Sequence, residues 1–111
     1  MTPAVLHILL SLSAEDRHGL GIAADVKAFT NGRLALGPGT LYGTIKRLLD
    51  SALIEDLGSP SADLDPSTGL GAGDPRRRYY RITAKGRRAL ELETEGLASV
   101  LSVAKRRLKT S

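Results

Sequence analysis

Residues 58–75 are dominated by Gly, Pro, Ser and Asp, with almost nothing that could pack. Such a stretch buries too little apolar surface to offset the entropy lost on ordering, so it reads as a mobile loop. A loop of that length is uncommon inside a chain of 111 residues, and the segments flanking it must carry clear structural signals if the fold is to close. They do. Residues 53–57 read as a short strand. Residues 78–83 read as a second, with Tyr80 and Ile82 on one face and Tyr79 and Arg81 on the other. The loop is therefore expected to join the two strands of a β-hairpin.

Three helices are expected before the hairpin. The first spans residues 2–13, with Thr2 as its cap and Pro3 at the first helical position, where a missing N–H is harmless. Leu6, Leu9 and Leu10 share a face, and Val5 and Leu12 lie beside it. Residues 15–19 read as a turn. The second helix covers residues 20–29, with Ile22, Val26 and Phe29 as its buried stripe. Asn31-Gly32 is a stop signal, because both residues tolerate the left-handed conformation that ends helices. Leu34 and Leu36 then lead to Gly37.

Gly37-Pro38-Gly39-Thr40 opens a third helix over about residues 38–52. Leu41, Ile45, Leu48 and Leu49 fall within about 100° of arc on a helical wheel. The opposite side holds Gly39, Thr40, Gly43, Lys46, Arg47 and Asp50, with Tyr42 on the border. After the hairpin, Thr83 caps a last helix that runs to about Lys109, a length of ~40 Å. Leu90, Leu97 and Ala104 recur every seventh residue, with Leu101 and Leu108 in the complementary slot and Thr94 interrupting it. This is the seam of a two-stranded coiled coil. A second copy of the chain is the expected cover for it, in preference to the chain's own domain.

The net charge of +4 conceals a strong asymmetry. Residues 1–55 balance acids against bases. Residues 56–75 hold Asp56, Asp63, Asp65 and Asp74 and no base, whereas Arg76, Arg77, Arg78, Arg81, Lys85, Arg87 and Arg88 follow with no acid among them. Tyr79 and Tyr80 place part of this basic run on a strand, which argues for a positioned anion-binding surface and against a merely solvated face. Lys105, Arg106, Arg107 and Lys109 complement the C-terminus of the last helix.

Other functions find little support. The chain has no cysteine and only two histidines, His7 and His18, which disfavours thiol chemistry and His-rich metal sites. His7 reads as a packed or interfacial residue, and His18 as a residue that orders the turn before the second helix. The glycine-rich opening of the third helix lacks the Gly-Lys-Ser/Thr ending of a phosphate loop, and Gly19-Leu20-Gly21 is an isolated fragment with no strand before it. No nucleophile–base pair, carboxylate pair or metal motif is present, so an enzyme is not expected, nor a metal or any other cofactor. The best apolar stretch, residues 4–12, is interrupted by His7 and Ser11 and is too short to span a bilayer. It also lacks the basic leader of a signal peptide, so a cytoplasmic protein with no membrane partner is expected.

Three helices followed by a hairpin with a basic second strand make a winged helix-turn-helix, mainly α with a small β-hairpin wing. Residues 1–83 are expected to form the DNA-binding domain and residues 84–111 a C-terminal dimerisation helix. The third helix would enter the major groove of double-stranded DNA, with Gly39 and Gly43 allowing close approach and Thr40, Lys46 and Arg47 supplying contacts. Arg76, Arg77, Arg78, Tyr79 and Arg81 would flank it on the backbone or in the minor groove. The expected dimer seam is Leu90, Leu97, Leu101, Ala104 and Leu108. The alternative is a winged-helix module that binds protein instead of DNA.

Gly37-Pro38-Gly39-Thr40-Leu41-Tyr42, followed by Lys46-Arg47-Leu48 and Leu53-Ile54-Glu55, resembles the PadR family of bacterial transcriptional regulators. So do the run Arg77-Arg78-Tyr79-Tyr80-Arg81-Ile82-Thr83-Ala84-Lys85-Gly86 and His18-Gly19 with Ile22-Ala23. The resemblance implies a homodimeric repressor on a palindromic operator. It places Thr40, Tyr42 and Lys46 on the recognition helix and Arg77, Arg78 and Tyr79 in the wing. It also leaves room for a small-molecule effector that the sequence does not identify. Where the family has proline after the Leu-Tyr pair this chain has Gly43, and where it has glycine this chain has Ala52, which would then adopt a left-handed conformation at some cost. Some relatives bind flat drugs between tryptophans at the dimer interface, and this chain has no tryptophan.

Overall fold

In the computed structural model, residues 1–58 and 78–109 are described. The chain runs through α1 (Pro3–Ala14), β1 (Arg17–His18), α2 (Gly19–Phe29), α3 (Pro38–Asp50), β2 (Ile54–Gly58), β3 (Tyr79–Ile82) and α4 (Ala84–Lys109). The expected loop over 58–75 lies outside the described residues except at Gly58.

Each helix end has a local cause. Thr2 Oγ1 accepts the Val5 N–H at 3.2 Å, with Pro3 next to it. His18 caps α2 through its ring, Nδ1 accepting the Gly21 N–H at 2.8 Å, so His18 orders this turn as expected. α2 ends where Asn31 (φ 54°) and Gly32 (φ 78°) turn left-handed. The Gly32 N–H then donates to the Lys27 carbonyl at 2.7 Å and the Asn31 N–H to the Ala28 carbonyl at 3.2 Å. α3 ends in the same paired arrangement, Leu53 N–H to Leu48 O at 3.0 Å and Ala52 N–H to Leu49 O at 3.1 Å. Here Ala52 takes the left-handed position, at φ 60°, where glycine would be unstrained.

The sheet departs from the expected two-stranded hairpin. It has three antiparallel strands in the order β1-β3-β2. Arg17 and His18, expected in a turn, pair with Tyr80 and Tyr79. A two-residue strand is too short to carry a periodic pattern, and only its partner reveals it. β2 and β3 pair Ile54 with Ile82, Glu55 with Arg81 and Asp56 with Tyr80, and a bulge follows before Gly58 meets Tyr79.

The core gathers Ile8, Leu9 and Leu12 of α1, Ile22 and Val26 of α2, Leu41, Ile45 and Leu48 of α3, Ile54 of β2, Tyr80 and Ile82 of β3 and Leu90 of α4. Tyr80 is thus the tyrosine that closes the core. Burial, and then the nearby Asp56 carboxylate, raise its pKa and keep the phenol neutral. Phe29 departs from expectation: it is exposed and stacks on His7, with centroids 5.8 Å apart and planes 5° from parallel. It is the last residue of its helix, beyond the part of the stripe that the core covers.

The start of α4 is tied to the end of α3. Thr83 Oγ1 accepts the Gly86 N–H at 3.0 Å and donates to the Ala52 carbonyl at 2.7 Å. The Thr83 N–H donates to the Leu53 carbonyl at 3.1 Å, and Lys85 Nζ donates to the Ser51 carbonyl at 2.8 Å. Gly86 lies against the Leu53 carbonyl so closely that a Cβ there would collide with it. Three successive carbonyls after the third helix are thereby held by the first residues of the fourth.

Candidate nucleic-acid interface

α3 divides into two faces. Leu41, Thr44, Ile45 and Leu48 are buried, while Gly39, Thr40, Gly43, Lys46, Arg47 and Asp50 are exposed. The expected reading face is therefore bare in the monomer. A Cβ at Gly39 or Gly43 would meet no atom of this chain within 4 Å. Internal packing does not require glycine at either position, although glycine inside a helix costs roughly 0.5–1 kcal/mol relative to alanine. Lys46 Nζ lies 4.0 Å from Asp50 Oδ2 one turn on, in a pair open to solvent. An exposed pair of this kind is worth only about 0.3–0.5 kcal/mol and yields readily to a phosphate.

Tyr42 is half-buried. A Cβ added at Gly19 would come within 2.7 Å of Tyr42 Cε1, so the first residue of α2 must be small for the ring to lie there. Tyr42 thus joins α3 to α2 as well as bordering the exposed face.

The wing residues meet different partners. Arg78 lies just before β3, and its Nη1 donates to Asp56 Oδ2 at 2.9 Å. Asp56 in turn accepts the Gly58 N–H through Oδ1 at 2.7 Å. Within β3, Tyr80 is buried, and Tyr79 and Arg81 lie on the other face. Tyr79 meets the His18 ring edge-on at 5.3 Å. Arg81 forms a two-pronged contact with Asp16, Nη2 to Oδ2 at 2.9 Å and Nε to Oδ2 at 3.3 Å, and its Nη1 lies 3.7 Å from Glu55. The Asp16 hydrogen bonds and charge hold the Arg81 guanidinium still more firmly in its protonated form. Arg76 and Arg77 lie outside the described residues. The sequence signalled the basic strand but not these acidic partners, since Asp16 is far from it along the chain and Asp56 reaches Arg78 only through the diagonal neighbour relation of paired strands.

The expected dimer seam also separates into two parts. Leu90 is 7% exposed and belongs to the chain's own core, which corrects its assignment to the seam. The reason is that its turn of α4 packs over α1, where Arg87 reaches the Ser13 carbonyl and the N-terminal ammonium meets Glu93. Leu97, Leu101 and Leu108 are exposed and Ala104 is half-exposed.

Among the described residues no cluster of three or more His, Asp or Glu could hold a metal, and no helix is long and apolar enough to cross a membrane.

Residues 5–92 match the transcriptional regulator PadR-like family. A PadR family transcription regulator from Clostridium difficile shares the fold at a TM-score of 0.73 and 26% identity, over 96% of this chain and 99% of that one. A PadR-like transcriptional regulator from Bacillus cereus does so at 0.71 and 25%, over 94% and 89%. A transcriptional regulator from Clostridium thermocellum, 22% identical with a TM-score of 0.71 over 93% and 87%, adds support for the fold. No curated protein matches the sequence. With its winged helix fold, its bare third helix and this match over most of its length, the chain belongs to the PadR-like family of DNA-binding transcriptional regulators, which are not enzymes.

Proposed function

We propose that the protein acts in the cytoplasm as a homodimeric repressor on a palindromic operator. Residues 1–83 serve as the DNA-binding unit, and the helix over 84–111 holds the dimer together, with its first turns also completing the core. The observation that carries this reading is the division of α3 into a buried aliphatic face and an exposed face of Gly39, Thr40, Gly43, Lys46 and Arg47. The glycines let the helix sink against the groove, and Thr40 and Lys46 reach base edges. Arg78 and its neighbours Arg76 and Arg77 take the phosphate backbone. Arg81, held by two carboxylates, contributes less. Repression needs no more than occupancy of the site. The two-fold symmetry of a homodimer would match that of a palindrome.

The test compares a duplex selected by the protein with random duplex at low and high salt. Lys46→Ala should lower the selected-to-random ratio by a factor equivalent to about 1–3 kcal/mol, the worth of a base-edge contact. Arg77→Ala should weaken both duplexes and flatten the salt slope by about one contact. An unchanged ratio for Lys46→Ala would remove α3 from the reading role. Absence of duplex binding at either salt would leave the protein-interaction module.

A further inference from the structure

Neither Arg81 of β3 nor Arg78 just before it carries free charge. Arg81 lies against Asp16 and Glu55, and Arg78 lies against Asp56. The second pair is less open to solvent than the first, with side-chain exposures of 28% for Arg78 and 31% for Asp56 against 52% for Arg81. Asp56 is also fixed in place. The strand bulge brings the Gly58 N–H onto its Oδ1, and its Oδ2 then points at Arg78. Only Nη1 of the guanidinium takes part in that hydrogen bond, and among the described residues no second acceptor engages its planar fork of donors.

Two consequences follow from elementary electrostatics. Attraction to random DNA is almost wholly a matter of net positive charge and counterion release. An arginine neutralised by a carboxylate adds little to it. A guanidinium already held in one orientation loses less freedom when it does meet a phosphate at a fixed place. We infer that Asp56 is a specificity-determining residue of the DNA interface: it cancels the charge of Arg78 toward random DNA while holding the guanidinium ready for a phosphate that α3 has brought into register. The inference rests on the proposed DNA-contact role of the wing, and it assigns to an acidic residue of β2 the restraint of non-specific binding.

Asp56→Asn tests it. The amide keeps an acceptor for the Gly58 N–H and removes the charge. Asp56→Ser keeps a hydroxyl acceptor at the same place and should behave alike, so a folding defect in one variant does not decide the matter. Affinity for random duplex should rise at low salt, and affinity for a selected duplex should rise less. The salt slope should steepen by about one contact, so that the gain shrinks about threefold as salt is raised from roughly 50 to 200 mM. In the Arg78→Ala background the same change removes only the repulsion of the carboxylate and frees no arginine, so the gain should be smaller and the slope should not steepen by a full contact. Unchanged random-duplex affinity and slope in both variants would overturn the inference, as would an equal gain and steepening without Arg78. Those results leave the DNA-contact reading standing, provided that the wild-type protein binds duplex. A wild-type protein that binds no duplex at either salt overturns both.

Discussion

α4 is one unbroken helix in two environments. Over its first turns Gly86 lies against the Leu53 carbonyl, Leu90 is in the core, and Glu93 meets the N-terminus of the chain. From Thr94 to Ser102 every residue is exposed. Leu97 is 45%, Val100 65% and Leu101 54% exposed. The seven-residue spacing of Leu90, Leu97 and Ala104 runs across the boundary although Thr94 interrupts the complementary slot, so one pattern completes the core at one end and leaves Leu97 and Leu101 exposed at the other. Burying a leucine fully is worth about 1.5–3 kcal/mol. For Leu90 most of that is realised within the chain. Leu97 and Leu101 remain about half exposed, so in the proposed dimer they would gain it from the second copy.

The contrast can be broken by substitutions at each end. Leu97→Asp combined with Leu101→Asp should have the largest effect. Sedimentation should show a monomer, and operator affinity should fall by about 10²–10⁴, the avidity lost when two half-sites are no longer bound by one molecule. A wild-type monomer at tens of micromolar would show that the outer seam is not a dimer contact. Leu90→Ala should act on folding, costing about 2–5 kcal/mol by denaturant titration, as other large-to-small core changes do. Loss of the dimer with unchanged monomer stability would instead place Leu90 on the seam. Ala52→Gly sharpens the comparison with the smallest change. It relieves a left-handed alanine beside the start of α4 and should raise stability by roughly 0.5–1 kcal/mol while leaving the monomer–dimer equilibrium unchanged.

The features legible in the sequence were those with local causes. Thr2, Asn31-Gly32, Gly37-Pro38 and Thr83 mark helix ends because capping is decided within a few residues. The two faces of α3 follow from a regular period, whereas the left-handed Ala52 was implied only by the resemblance to a family that has glycine there. The features that were not legible depend on distant parts of the chain. β1 exists because Arg17 and His18 meet Tyr80 and Tyr79. Leu90 leaves the seam because α1 covers its turn, and Phe29 leaves the core because it ends its helix. The candidate site shows the same division. The bare face of α3 could be read from spacing alone. The Arg78–Asp56 and Arg81–Asp16 pairs could not, since strand pairing and tertiary folding bring those charges together.

The most direct test of the account is selection of bound sequences from a random DNA pool by the full-length protein. The account predicts enrichment of a two-fold symmetric site whose half-sites lie about 10 base pairs, or a multiple of that, from centre to centre. A pool that shows no enrichment, or that converges on a single asymmetric half-site, would contradict it.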